Sequence, residues 1–396
     1  MLIRPLSWLA AALCVMFSSA PAWAQVQDTF KFNAAYSRQS DSNLFRLSAD
    51  DVNAGIGKSS AAEQVGITSL GFNFNKAYSL QRFELNLSLI DYKYQNFSYL
   101  SFAAQNYNAA WRWSLTPRLR GNVTTVRNET LNSFADFQGF NRRNQRTSTN
   151  TRFDAAYEID GPWRVIGGVS QSAQTNEQVL LAEGDFRSNA ADLGLRYVLG
   201  SGSSLSYALK TATGSYLNRV LSPASLLDDG FDQIDNELRL HWIISGNSSA
   251  DISAAHIKRS HPNFAQRDFS GLNAAFNLNW NMTGKSALTA GFARELASYQ
   301  TESANYTQTD RFSIGPVWQV SPKAVVRLRY DVAQRAYLGV VAQRRDTTRD
   351  TSLSFDWQPY RYLTLSASLQ NAMRTSNQPR LDYESNVATF SAQFTY

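Results

Sequence analysis

The chain has 396 residues, a formal net charge of +6, 43% hydrophobic and 13% aromatic residues, and a single cysteine. That balance excludes a disulfide scaffold and a disordered polar chain, and its small charge excess argues against a nucleic-acid binder. Beyond the amino terminus no stretch reaches the roughly 18 consecutive apolar residues that a membrane helix needs. A soluble fold and a membrane barrel, in which only alternate residues face lipid, are what remain.

Residues 1–24 read as a secretory signal: Arg4, a short apolar run over 9–17, and Ala22-Trp23-Ala24 with small residues at the cleavage positions. Leu13 stands before Cys14 where a lipoprotein signal would carry a small residue, so the cysteine is expected to leave with the signal. Residues 25–396 show no low-complexity linker and are expected to form one domain.

In chain order, residues 30–36 alternate as a first strand, and 38–61 form a long polar loop. Residues 65–74 return to a turn at 75–79, and 83–89 rise with strict alternation. At Ile90 the apolar phase shifts by one residue, which predicts a bulge near a rim. Residues 107–113 descend, and 119–128 rise into a second long loop near 131–148. Further descending strands fall near 149–158, 187–198, 233–244, 269–280, 308–318, 349–357 and 384–396. Rising ones fall near 163–173, 204–215, 250–259, 286–299, 324–336 and 362–373.

Each descending run ends on an aromatic: Phe74, Trp113, Tyr157, Tyr197, Trp242, Trp280, Trp318, Trp357 and Tyr396, spaced 38 to 45 residues apart. Trp113, Trp242, Trp280 and Trp318 are each followed three residues later by Ser or Thr and four later by Pro or Gly, a tight-turn signature. The chain therefore returns repeatedly to one level. Tyr and Trp collect where an apolar body and a polar tip are both satisfied, which is the water boundary of a bilayer. Nine returns imply eighteen strands, and the expected fold is an all-β transmembrane antiparallel barrel of the bacterial outer membrane with an aromatic girdle. A propeller also repeats near 40 residues, but its repeat contains four short strands rather than two long ones. The alternating end at 388–396, closing on Tyr396, is expected to engage the barrel-assembly machinery.

Chemical motifs are weak. Gly57-Lys58-Ser59 and Gly284-Lys285-Ser286 lack the first glycine of a phosphate loop, Val52 and Asn279 standing there. Gly168-Val-Ser-Gln-Ser172 fails the serine-hydrolase elbow at its last position, and His241, His256 and His261 lack metal-ligand spacing. No catalytic, cofactor or metal residues are expected. If the large apolar residues face lipid, the alternate positions line a lumen. These include Arg112, Arg120, Arg164, Arg196, Arg239, Arg311, Arg327 and Arg329, with the acids Glu84, Asp192, Glu237, Asp331 and Asp356. Such a set either braces the wall by cross-strand ion pairs or gives a polar channel with a basic bias.

Four segments resemble a known family: Asp41-Ser-Asn-Leu-Phe-Arg46, Lys76-Ala-Tyr-Ser-Leu-Gln-Arg-Phe83, 96–102 with 106–117, and Gln266-Arg-Asp-Phe-Ser-Gly271. They are similar to EpsL, the outer-membrane protein of exosortase-associated exopolysaccharide clusters, related to the beta-barrel porin-2 group. The resemblance implies export of a secreted polysaccharide by a passive conduit and supplies no site residues. In strand number and basic lumen the chain is also similar to the alginate exporter. The expected partners are outer-membrane lipid and lipopolysaccharide, the polysaccharide substrate and periplasmic export components, with no nucleic acid. A general or small-solute porin is the alternative, and behind it an outer-membrane enzyme.

Overall fold

A computed structural model describes residues 29–49, 56, 58–136, 138, 141–178, 184–301, 304–339 and 344–396. The expected signal, residues 1–24, and Cys14 lie outside the described residues, as do Val52 and Gly57. The first half of the chain supplies β1 (Phe30–Asp41), β2 (Glu63–Tyr78), β3 (Gln81–Tyr94), β4 (Phe102–Thr116), β5 (Leu119–Leu131), β6 (Gln145–Asp160), β7 (Trp163–Asn176), β8 (Phe186–Val198) and β9 (Ser204–Tyr216). The second supplies β10 (Gly230–Ser245), β11 (Ser248–Ser260), β12 (Phe269–Asn281), β13 (Ser286–Thr301), β14 (Ala304–Ser321), β15 (Ala324–Leu338), β16 (Arg345–Tyr360), β17 (Leu363–Ser376) and β18 (Tyr383–Thr395). Each strand pairs antiparallel with its sequence neighbours, and β18 pairs with β1, so the 18-stranded sheet closes and leaves no edge.

The recurring Ser or Thr after each tryptophan has a local job. Thr116 Oγ1 accepts the Leu119 amide at 3.0 Å, Thr283 Oγ1 accepts those of Lys285 and Ser286, and Ser245 and Ser321 accept those of Asn247 and Lys323. These side chains satisfy the amides that a two- to four-residue reversal leaves unpaired. Register shifts sit beside the short turns, at Ser114/Thr116, Glu158/Asp160, Ile243/Ser245, Gln319/Ser321 and Trp357/Tyr360. The turn expected at 75–79 is shorter and overlaps only the end of that range: β2 continues to Tyr78, β3 starts at Gln81, and Ser79, at φ 53°, begins the reversal.

No bulge occurs at Ile90, because β3 pairs without a register shift with both β2 and β4. What changes is the surroundings. Phe83, Leu87 and Leu89 face outward and are exposed. Two residues on, the same face carries Asp91 and Lys93, an exposed ion pair at 3.4 Å. On the inner face Tyr92 stacks on Phe102 with centroids 4.5 Å apart, and Tyr94 packs against an apolar cluster. A strand of 14 residues outruns the roughly 9–11 that span a bilayer, so its last turn stands in water outside and against packed loops inside. The apolar phase follows that exchange of environment.

Candidate functional site

Three loops meet at the long-loop end of the barrel. The β1–β2 loop supplies Leu44, Phe45, Leu47 and Ala61, the β3–β4 loop Phe97 and Leu100, and the β5–β6 loop Phe134; together they form a buried cluster. Phe45 meets Phe97 and Phe134 edge-on, each at 4.7 Å. Two buried acids fasten the loop ends. Asp41 accepts the Asn43 amide at 2.9 Å, Ser385 Oγ on β18 at 2.6 Å and the Arg46 guanidinium at 2.8 Å. Glu63 accepts the amides of Asn96 at 2.8 Å and Phe97 at 2.7 Å. Arg46 itself adopts φ 55°, and the Asn43 side chain bridges Leu47 and the Glu384 carbonyl.

The β5–β6 loop does not stay above its own strands. Asp136 pairs with Arg335 on β15 at 2.9 Å, and Arg374 on β17 donates to the Ala135 carbonyl at 2.5 Å. Gln138 donates to the Arg46 carbonyl. By the shorter path round the ring, β15 lies eight strands from β5. Only a segment folded inward can bridge nearly opposite walls, so this loop crosses the mouth of the lumen. The Asp41–Arg46 and 96–102 segments, quoted above for the family resemblance, are parts of the same filling.

A second loop system stands on the β9–β12 side. Arg219 lies over the Tyr216 ring at 3.7 Å and donates to the Asp228 carbonyl. Burial alone would push the Asp228 carboxyl up, but the Asn263 side chain and the amides of Asn263, Phe264 and Gly230 hold it below the usual range. His261 has a fully buried side chain, and burial followed by the Arg259 charge lowers its pKa against the pull of Asp268.

Along the wall, alternation places Arg164 and Arg196 on the face opposite to their exposed neighbours Trp163 and Tyr197. On that inner face Arg112 pairs with Glu84 at 3.1 Å, Arg152 with Asp192 at 2.6 Å, Arg164 with Glu158 at 3.0 Å and Arg239 with Glu237 at 2.7 Å. Across the barrel Arg327 pairs with Asp356, and Arg329 with Asp331 at 2.5 Å. Arg311 stands on β14, opposite Ala333 of β15. Arg120 and Arg196 make no ion pair among the described residues. The partners Arg152 and Glu158 lie outside the set named from sequence. Their signal was present as alternation, but cross-strand register decides the pairing.

The girdle residues line the short-turn end. Tyr157, Tyr197, Trp242, Trp280, Trp318, Trp357 and Tyr396 are exposed, and Phe74 faces Phe30 across β1 and β2 with rings 5.3 Å apart. Trp113 differs: it is buried, stacked on Phe153 at 5.8 Å and laid over Gly121. Its sequence neighbour Trp111 is the exposed one, and its indole N–H donates to Gln81 at 2.8 Å.

A closed barrel with short girdled turns at one end and inward-folded loops at the other is the architecture of an outer-membrane porin-like channel. The sequence profile of the family described as "Putative beta-barrel porin 2" matches residues 244–396, which hold β11 to β18. Among solved structures, OccK2 (OpdF) of Pseudomonas aeruginosa is similar with a TM-score of 0.52 at 10% identity, over 92% of this chain and 98% of that one. OccK1 (OpdK) of the same organism gives 0.51 at 11% identity, over 93% and 99%. At such identities the likeness is one of fold. No curated protein matches the sequence.

Proposed function

We propose that this barrel is a passive outer-membrane conduit for an exopolysaccharide made by a periplasmic or inner-membrane synthesis system, without chemistry of its own. The observation that carries the reading is the lumen wall from β4 to β10, where arginines outnumber the acids that pair with them. Such a wall keeps the lumen wet and favours anionic cargo. The EpsL-like segments support a polymer, and two structures of similar fold point to acidic cargo. OccK2 has been solved with glucuronate and OpdK with vanillate, both carboxylates. In this reading periplasmic export components dock at the short-turn end, lipopolysaccharide surrounds the outer belt, and β18 is the segment offered to the barrel-assembly machinery.

Deleting the gene should abolish secreted polysaccharide, with restoration by the wild-type copy; undiminished secretion in the deletion strain refutes the reading. The β5–β6 loop across the mouth favours a second reading, a small-solute porin. Liposome swelling separates the two, because a porin admits small neutral sugars with no synthesis machinery present.

A further inference from the structure

Ion pairing is uneven around the lumen. Arg327 and Arg329 on one wall are each matched by an aspartate. On the other wall Arg164 and Arg196 are direct cross-strand partners of β7 and β8. Like charges placed opposite each other on one face of a sheet repel, and of the two only Arg164 has an acid, Glu158, on its other side. The row continues. Arg196 is opposite Ser206 of β9, and Ser206 is opposite Arg239 of β10, so the backbones of the three arginines span three strand spacings, about 14 Å. Arg120 on β5 sits one step further from the turns, opposite Ala156. Arg239, Arg120 and Arg164 act on the Arg196 charge, and Asp154 acts on it in the opposite sense.

The acids in this region are already engaged. Glu158 holds Arg164, Glu237 holds Arg239, and Asp154 takes Asn122 at 3.0 Å and Arg152 at 3.8 Å. Arg164 keeps a buried Nε with no hydrogen-bond partner. The inner-face neighbours Ala156, Gly194, Ser206 and Ala208 are small, with Ile166 between Ala156 and Gly194.

We infer that Arg120, Arg164, Arg196 and Arg239 form a binding station for a carboxylate-bearing sugar at the short-turn mouth of the lumen. The planar carboxylate lies on Arg196, whose forked donors match its two oxygens, within the field of the Arg120, Arg164 and Arg239 charges. Glu158 and Glu237 flank it, and the carboxylate oxygens their arginines leave free accept sugar hydroxyls. The same two glutamates disfavour a doubly charged phosphate, so the station selects a singly charged acid among oxyanions. A row rather than a pocket suits a cargo that must leave again, since a uronate can pass from one guanidinium to the next. This deepens the conduit reading and rests on it for direction of transport, but not for binding.

The test is calorimetric titration of D-galacturonate, D-galactose and inorganic phosphate into the folded, detergent-solubilised barrel. Galacturonate should bind at millimolar or tighter affinity, galactose should give no heat of binding, and phosphate should bind at least tenfold more weakly than galacturonate. R196Q and R120Q should each weaken galacturonate at least tenfold, R196K less than R196Q, and R327Q should leave it unchanged. Heat modifiability on gels establishes that each variant is folded, and R120Q stands in where R196Q is not. Equal binding of galactose or phosphate, or an undiminished affinity in folded R196Q or R120Q, overturns the station. Planar-bilayer recordings read the conduit separately: galacturonate bound by a barrel that conducts nothing leaves the station standing and removes the conduit.

Discussion

Replacing Asp136 by alanine should loosen the mouth of the barrel without unfolding it. Asp136 and Arg335 are 2.9 Å apart, with 14% and 24% of their side chains exposed. Two unit charges about 4 Å apart attract by about 4 kcal/mol at an effective dielectric of about 20. Desolvation and ordering offset part of this, and measured couplings of close charge pairs begin near 1.5 kcal/mol, so about 2 kcal/mol is a fair expectation. That figure shifts the ratio of docked to undocked loop about 30-fold, a tenfold change needing about 1.4 kcal/mol. The loop keeps its contact from Arg374 to the Ala135 carbonyl and its Phe134 anchor against Phe45, so D136A should flicker between levels rather than open permanently. The assay is single-channel recording of D136A, R335A and the double variant as a cycle. Each single variant should raise mean conductance, and the double should add little to either, because both remove the same contact. Strictly additive effects, or three folded variants with wild-type current, would refute the claim that this pair closes the lumen.

Gly121→Ala should sharply lower the yield of folded barrel, since a Cβ there would lie 2.0 Å from the Asp154 carbonyl oxygen and 2.5 Å from the Trp113 ring. Gly284→Ala, with nothing within 4 Å, is the control; equal heat-modifiable fractions for the two would contradict the packing argument. The His261 pKa is lowered by burial first and by Arg259 second, so the neutral ring's contribution to stability is complete above its ordinary pKa, near 6.5, and is lost as pH falls through the depressed folded value. Hydrogen exchange of residues 261–268 should therefore quicken between pH 7.5 and pH 5 beyond the intrinsic pH dependence, and protection that holds or grows would be the wrong outcome. Deleting 388–396 removes the residues of β18 that pair with both β17 and β1, which reopens the sheet, and the truncated chain should accumulate as periplasmic aggregate. Wild-type levels of it in the outer membrane would rule that out.

The strand plan was legible because it is local and periodic. Alternation reports two environments on the two faces of one strand, and Trp318 followed by Ser321 and Pro322 reports a reversal within a few residues. Nine such reports fix an even count of strands, and an even antiparallel count closed by β18 on β1 admits little other than a barrel. Ile90 marks where that inference stops. The phase of residues 83–94 records surroundings, and from sequence a strand leaving the bilayer looks the same as a bulge. Only the packed Tyr94 and the exposed Asp91 and Lys93 separate the two.

Contacts between distant residues were beyond reach for a different reason. Asp136 and Arg335 are 199 positions apart, and the partnership leaves no period in either neighbourhood. The polar look of residues 131–148 therefore predicts a long loop but not its course across the lumen. The same holds for the wall. Alternation placed Arg196 and Arg327 on the inner face alike, but the cross-strand register set Arg327 near Asp356 and Arg196 beside Arg164. Sequence determined which residues share a face, since that follows from the backbone pleat; closure of the barrel decided which charges meet across it, since that depends on strand register and on loops folding inward.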